Sequence, residues 1–364
     1  MKVAVHADPA VHAVPGGVGV YVRRLLEQLV ASDPDTYKMI VSKFAEAPPA
    51  WDPDRLIRPL MPVALLYAAW NFTGRPKLQA DLDLVHATAL AVPPAPQSRL
   101  VATVHDLAVE TMPQLIPAPW RRVYQQGLKR VLSDAAVICT VSQSTADELA
   151  ARGVDPQRMV VTQLAPNTTP QSRTNDQVFG RLALDEPYIL TVGTVEPRKN
   201  QVLLAEAFAS AAEALPGHRL VIAGIPGWGQ EQLAAAIDRL QLGPKVILTG
   251  KVAPAELASL YAKASVFALP SVYEGFGLPL IEALSFGIPS VASTTPALKE
   301  LGADAAEFVD PHDAGALAGA LVRLATDREL RDRLSIAGPR RAGEFSWERT
   351  AERTRAAYEA AVSL

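Results

Sequence analysis

Residues 165–177 read A-P-N-T-T-P-Q-S-R-T-N-D-Q, a polar, proline-containing run with no apolar period. That is the composition of a linker. The sequence on either side of it has one pattern. Upstream, K-V-A-V-H-A (2–7) precedes a glycine turn and the helical V-G-V-Y-V-R-R-L-L-E-Q-L-V. R-L-V-A-T-V (99–104) precedes H-D-L and a helix around W-R-R-V-Y-Q-Q-G-L-K-R-V-L. A-V-I-C-T-V precedes S-Q-S-T-A-D-E-L-A, where Ser142 or Ser144 can supply the helix N-cap. Downstream, Y-I-L-T-V-G-T, H-R-L-V-I-A-G, K-V-I-L-T-G, S-V-F-A-L-P and P-S-V-A-S-T are each followed by a helix-like stretch. Short β-branched runs alternating with helices signal βαβ units and parallel sheets. The pattern predicts two doubly wound α/β domains joined near residue 175, spanning 1–175 and 176–344. A separate last helix, F-S-W-E-R-T-A-E-R-T-R-A-A-Y-E-A-A-V, has Ser346 as its N-cap.

Bulk properties narrow the function. A chain of 364 residues has room for two domains with sizeable cores. A net charge of −3 argues against a general nucleic-acid binder. The single cysteine, Cys139, excludes an intramolecular disulfide and a cysteine-rich zinc site, and its apolar setting reads as a buried, inert thiol. The start, M-K-V-A-V-H-A-D, is a strand pattern rather than a signal peptide. No apolar run reaches the roughly 18–20 residues that span a bilayer. A soluble, cytoplasmic protein is expected.

In doubly wound sheets, ligands bind beyond the C-terminal strand ends, so the residues after each strand are the candidates. After the first come Gly16, Gly17 and Gly19, opening a helix whose free N–H groups suit a phosphate. Val22 stands where a dinucleotide fingerprint needs its third glycine, and a plain strand-to-helix turn reads equally well. His105-Asp106 follows a later strand. In G-T-V-E-P-R-K-N, Arg198 can grip phosphate in two places and Lys199 adds a compact charge; a solvated basic loop is the alternative. His6 and His12, without a third ligand, define no metal site. Last comes S-V-Y-E-G-F-G-L-P-L-I-E-A-L-S-F-G-I-P (271–289), with Glu274 and Glu282 around a glycine-rich turn. Pro279 suits a first helical position, which puts Glu282 in the first turn and Glu274 in the loop before it. Glu282 can accept from the vicinal hydroxyls of a ribose, and Glu274 from hydroxyls of a hexose.

E-G-F-G-L-P-L-I-E-A-L resembles the E-x₇-E signature of retaining glycosyltransferases with the GT-B fold, glycosyltransferase family 4. V-G-T-V-E-P-R-K-N, T-V-H-D-L and F-S-W-E-R-T-A resemble further hallmarks in the expected order. The resemblance implies two Rossmann-like domains facing across a cleft, with the last helix, 345–364, returned to the N-terminal one. It implies that Arg198 and Lys199 bind the donor diphosphate, Glu282 the ribose and Glu274 the transferred sugar. It places Gly16 and Gly17 near the phosphates, His105 at the sugar, and Val252, Gly275, Phe276, Gly277 and Leu278 among the donor-binding residues.

The function so implied is transfer of a hexose, with configuration retained, from a nucleotide sugar to a saccharide or lipid-linked hydroxyl. E-P-R-K-N resembles the mannosyl- and rhamnosyltransferase branch of polysaccharide assembly, so GDP-mannose is the first donor to try. No cofactor and no metal are expected, because Asp81-x-Asp83 precedes its strand instead of following it. A nucleotide-sugar epimerase of the same fold and a non-catalytic nucleotide-sugar-binding module are the alternatives. Trp120–Arg130 gathers Arg121, Arg122, Lys129 and Arg130 beside Trp120 and Tyr124. It is either a solvated helix face or a peripheral contact with anionic lipid on the inner membrane face. The apolar P-L-M-P-V-A-L-L-Y-A-A-W (59–70) matches no hallmark and has no assigned role.

Overall fold

The computed structural model describes the chain apart from residues 13–15, 79–80 and 186. It divides into two compact units, 1–164 with 346–364, and 165–345. The first unit's sheet has seven strands: β1 (Val3–His6), β2 (Tyr37–Ile40), β3 (Leu56–Ile57), β4 (Leu84–Ala87), β5 (Arg99–Val104), β6 (Val137–Thr140) and β7 (Met159–Val161). They lie in the order β3-β2-β1-β4-β5-β6-β7. Every pairing is parallel. The second unit repeats the plan with six: β8 (Tyr188–Val192), β9 (Arg219–Ala223), β10 (Val246–Gly250), β11 (Val266–Leu269), β12 (Ser290–Ser293) and β13 (Glu307–Val309). Their order is β10-β9-β8-β11-β12-β13, again all parallel. Each is a Rossmann-type doubly wound sheet whose order reverses once, between β1 and β4 and between β8 and β11.

Helices cover both faces of such sheets, so inner strands are apolar from end to end. β1, β4, β6, β11 and β12 are buried at every residue. Cys139 is buried in β6, and burial pushes its thiol up to about 12, which keeps it protonated and inert. His6 is also a core residue, packed edge-on to Tyr67 and Trp70 at 5.3 and 5.6 Å.

The units divide after Leu164, not near residue 175. The intervening segment reads as linker because its polar groups have no period, yet it is tied to the second unit. Thr168 N donates to Glu282 (3.1 Å), and Asn175 N to Ala255 O (3.0 Å) and Ser259 Oγ (2.9 Å). Of the two candidate caps, Ser142 starts the helix Gln143–Ala150, accepting from Thr145 N at 3.1 Å.

The last helix, Trp347–Ser363, is capped by Ser346, which accepts from Arg349 N. It packs on the helix Gly17–Ser32 and on β5, β6 and β7 of the first unit. Tyr358, fully buried, hydrogen-bonds His86 Nδ1 at 2.8 Å. Burial holds His86 down to about 3, so the bond is one between neutral groups.

Candidate active site

In the second unit the order reversal lies between β8 and β11, and the loops leaving these two strands carry the predicted charges. After β8 the chain passes through a short turn, Pro197–Lys199, into the helix Gln201–Ala211. Asn200, at the junction, has φ +59°, a left-handed conformation that Asn tolerates better than most residues. Its amide donates to Pro270 O (3.0 Å) and Pro311 O (2.7 Å), and Val272 N donates to Arg198 O (2.9 Å). The β8 loop is thereby laced to the β11 loop.

This lacing sets both cations on one carboxylate. Lys199 Nζ donates to Glu274 Oε1 at 2.6 Å, and Arg198 Nη1 to Glu274 Oε2 at 3.2 Å. Ser271 Oγ adds a bond to Oε1 at 2.7 Å. The other edge of the Arg198 guanidinium holds Glu196 at 2.9 Å. Burial alone would raise the Glu274 pKa; Lys199 and Arg198 outweigh it and hold the carboxyl below the ordinary range. A buried carboxylate needs such partners. Two cations positioned at a strand end can also receive an anion, exchanging it against Glu274.

Gly277, at φ +106°, caps the following helix, Leu278–Ser285. A Cβ there would collide with Leu298 and lie 3.2 Å from Leu301 Cδ2, so space and backbone both demand glycine. The helix begins at Leu278, with Pro279 second, and no acidic residue lies in its first turn. Glu282 therefore sits deeper than expected. It is buried and accepts from Tyr261 Oη (2.9 Å) and Thr168 N (3.1 Å). Burial raises its pKa to about 7, although Tyr261, Thr168 and Asn167 stabilise the charged form.

The remaining predicted residues are spread more widely. Gly275 is buried within the β11 loop. Phe276, also buried, packs edge-on to Phe345 at 6.0 Å, a core contact. Leu278 is half-buried at the helix start. Val252 follows β10, the edge strand, two strands from β8. In the first unit, Gly16 is the N-cap residue of the helix Gly17–Ser32. Gly16 and His105 line a cavity of about 320 Å³ together with Pro9, His12, Tyr67 and Tyr124. His105 Nε2 donates to Thr88 O at 2.9 Å, which leaves Nδ1 as the ring's acceptor. Burial lowers its pKa, against the pull of Thr88 O and Asp106, so the imidazole is neutral at pH 7.

The Trp120–Arg130 cluster is only partly a surface. Arg130 Nη1 donates to Trp70 O and Val92 O, both at 2.7 Å, and Arg121 Nη2 to Ile116 O at 3.2 Å. Arg122 and Lys129 are its exposed cations.

Sequence reasoning missed Tyr261, Thr168, Ser271 and the roles of Glu196 and Asn200. The last two stand inside the quoted E-P-R-K-N, and Asn after a basic pair is a recognisable left-handed cap. Tyr261 and Thr168 reach Glu282 from distant segments, for which local pattern holds no signal.

Comparison with known proteins gives the family and the fold. The family described as "Glycosyl transferases group 1" matches residues 172–341, and "Glycosyltransferase Family 4" matches residues 15–165. O-antigen chain mannosyltransferase B of Escherichia coli is 33% identical over 267 residues, covering 72% of this chain and 70% of that one. The D-inositol 3-phosphate glycosyltransferase of Segniliparus rotundus is 32% identical over 277 residues, covering 72% and 61%. Sucrose-phosphate synthase from Thermosynechococcus elongatus superposes with a TM-score of 0.75 at 23% identity, covering 99% and 98%. With two Rossmann-like units and both halves of the family matched in order, the chain belongs to glycosyltransferase family 4 and has the GT-B fold.

Proposed function

We propose that this glycosyltransferase is a retaining hexosyltransferase that takes mannose from GDP-mannose to a saccharide or lipid-linked hydroxyl. The observation that carries the reading is the Arg198–Lys199–Glu274 cluster at the order reversal of the second sheet. Cleavage of the anomeric C–O bond leaves negative charge on the diphosphate and positive charge on the ring. Arg198 and Lys199, which here share Glu274, are positioned to take the diphosphate, where charge-assisted contacts are strongest. Glu274, released from them, is left beside the sugar to accept from its hydroxyls. Glu282 would reach the ribose from the next helix, and the neutral His105 would offer Nδ1 to a sugar hydroxyl. With Glu274 assigned to the sugar's hydroxyls and Glu282 to the ribose, no carboxylate is assigned as a nucleophile, and the family resemblance points to front-face displacement with the leaving phosphate taking the acceptor proton.

In this reading no metal is needed, since the two cations supply the positive charge. EDTA should leave turnover unchanged; loss restored by magnesium or manganese would contradict it. The mannosyl relative supports mannose as the sugar, and the inositol phosphate glycosyltransferase makes the donor a matter for direct test. Thermal shift against GDP, UDP, dTDP and ADP provides it. A ligand bound only by the native state at 100-fold its Kd adds about 2.7 kcal/mol. GDP should stand out; a larger shift with another nucleotide replaces the donor, and no shift with any removes the reading. Peripheral membrane contact beside Trp120–Arg130 belongs to the same proposal, for a lipid-linked acceptor.

A further inference from the structure

The unassigned apolar stretch of the sequence forms the helix Val63–Thr73, V-A-L-L-Y-A-A-W-N-F-T, which contains no charged residue. One side is core. Leu66, Tyr67, Trp70 and Asn71 are buried, and Asn71 Nδ2 donates to Val123 O of the helix Ala118–Asp134 at 2.8 Å. The opposite side is apolar as well. Leu65 and Phe72 are 59% and 57% exposed. They stand two turns apart on one helix face, with the half-buried Ala68 and Ala69 between them. The patch continues before the helix. Leu60 is 74% exposed and Phe44 69%, and Lys43 N donating to Pro59 O at 3.1 Å brings their segments together. Single exposed hydrophobes are ordinary, whereas a continuous strip of them marks a contact surface.

Charge selects the occupant. No Asp or Glu occurs between Arg55 and Asp81, while exposed Arg58, Arg75 and Lys77 flank the strip. Lys43 Nζ stands 5.8 Å from the Phe44 ring centre. Arg122 and Lys129 are exposed on the adjoining helix. A second copy would bring these cations against each other; an anionic surface neutralises them. Among the described residues no helix is long and apolar enough to cross a membrane, so contact is along a surface. We infer that the outer side of Val63–Thr73, with Phe44 and Leu60, docks on an anionic phospholipid bilayer. The apolar side chains enter the acyl boundary and the cations meet the headgroups. The proposal rests on the peripheral contact suggested above, moved one helix outward, and not on the identity of the sugar.

The test is co-sedimentation of the full chain with phosphatidylcholine vesicles, with and without phosphatidylglycerol. Binding should require phosphatidylglycerol and weaken as salt is raised. Leu65→Ser with Phe72→Ser should lower the vesicle-bound fraction about tenfold or more, since two apolar side chains are withdrawn from lipid. The same variant should keep the wild-type circular dichroism spectrum and urea midpoint, which shows that the first unit is folded. The inference is overturned if phosphatidylglycerol vesicles leave the wild type in the supernatant, or if the double variant binds as well as wild type. It is likewise overturned if ultracentrifugation shows a dimer that the Leu65/Phe72 variant dissolves. Vesicle binding without any nucleotide shift would remove the donor assignment and leave this surface standing.

Discussion

Glu274 and Glu282 lie eight residues apart, yet their surroundings push them in opposite directions. Glu274 is ionised because Lys199 and Arg198 touch it; Glu282 is buried beside the Tyr261 phenol and the Asn167–Thr168 backbone, and burial disfavours its charge. Lys199→Ala and Arg198→Ala should each weaken donor binding and slow transfer by about 1.5–3 kcal/mol, the cost of one charge-assisted contact. Isothermal titration and steady-state kinetics read both effects, and unchanged values in both variants would refute the diphosphate assignment. Glu274→Gln should spare nucleotide diphosphate affinity and lower kcat/KM, whereas Glu282→Gln should weaken the nucleotide diphosphate itself. Glu282 also carries a pH signature. Its carboxyl ionises near 4.5 in the unfolded chain and near 7 in the folded one. Between these values the folded state holds a proton that the unfolded state has released, so stability falls as pH rises through the window. The loss, complete above the folded pKa, is at most about 3 kcal/mol. Glu282→Gln has no proton to lose, so urea unfolding should show it gaining on wild type between roughly pH 5 and 8. A stability gap independent of pH would mean that Glu282 is not so perturbed.

At the scale of elements, close approach decides several contacts. Gly127 lies where the helix Ala118–Asp134 meets Val63–Thr73. A Cβ there would overlap the Leu90 backbone and sit 2.7 Å from Asn71 Nδ2. Gly127→Ala should destabilise the first unit by about 1–3 kcal/mol through overpacking, with the urea midpoint as the readout and an unchanged midpoint as the contrary result. Within W-R-R-V-Y-Q-Q-G-L-K-R-V-L this glycine reads only as a weak helix former, because its reason lies in another element. The same logic explains which strands were legible. β1, β4, β5, β6, β8, β9, β10, β11 and β12 stand out as apolar runs. β3, β7 and β13 are edge strands of two or three residues, too short to carry a pattern. β2, Y-K-M-I, lacks the β-branched run that marks its neighbours. The cation and carboxylate loops were legible as well, since each directly follows a strong strand. Partners arriving from far along the chain, Tyr261 and Thr168 above all, were not.

On the scale of the whole molecule, the chain leaves the first unit at Leu164 and returns to it only at Ser346. The returning helix contributes Tyr358 and Ala357, both fully buried, and Thr350, whose hydroxyl donates to Gln163 O at 2.6 Å. Deleting residues 346–364 should therefore unfold the first unit and leave the second able to bind nucleotide. Circular dichroism would show the partial loss, and titration with the nucleotide diphosphate the surviving site. A deletion that melted at the wild-type temperature would mean that the helix is dispensable.

That return has a consequence for how the protein is made. Synthesis runs from the N-terminus, so the first unit to be started is the last to be completed. While residues 165–345 emerge and can close their own sheet, the earlier half waits with β5, β6 and β7 lacking the helix that covers them. The apolar surface around His86 stays open until the final turns leave the ribosome. A stop codon ahead of the codons for residues 346–364 would strand the chain in that state, the second unit formed and the first open to chaperones and proteases.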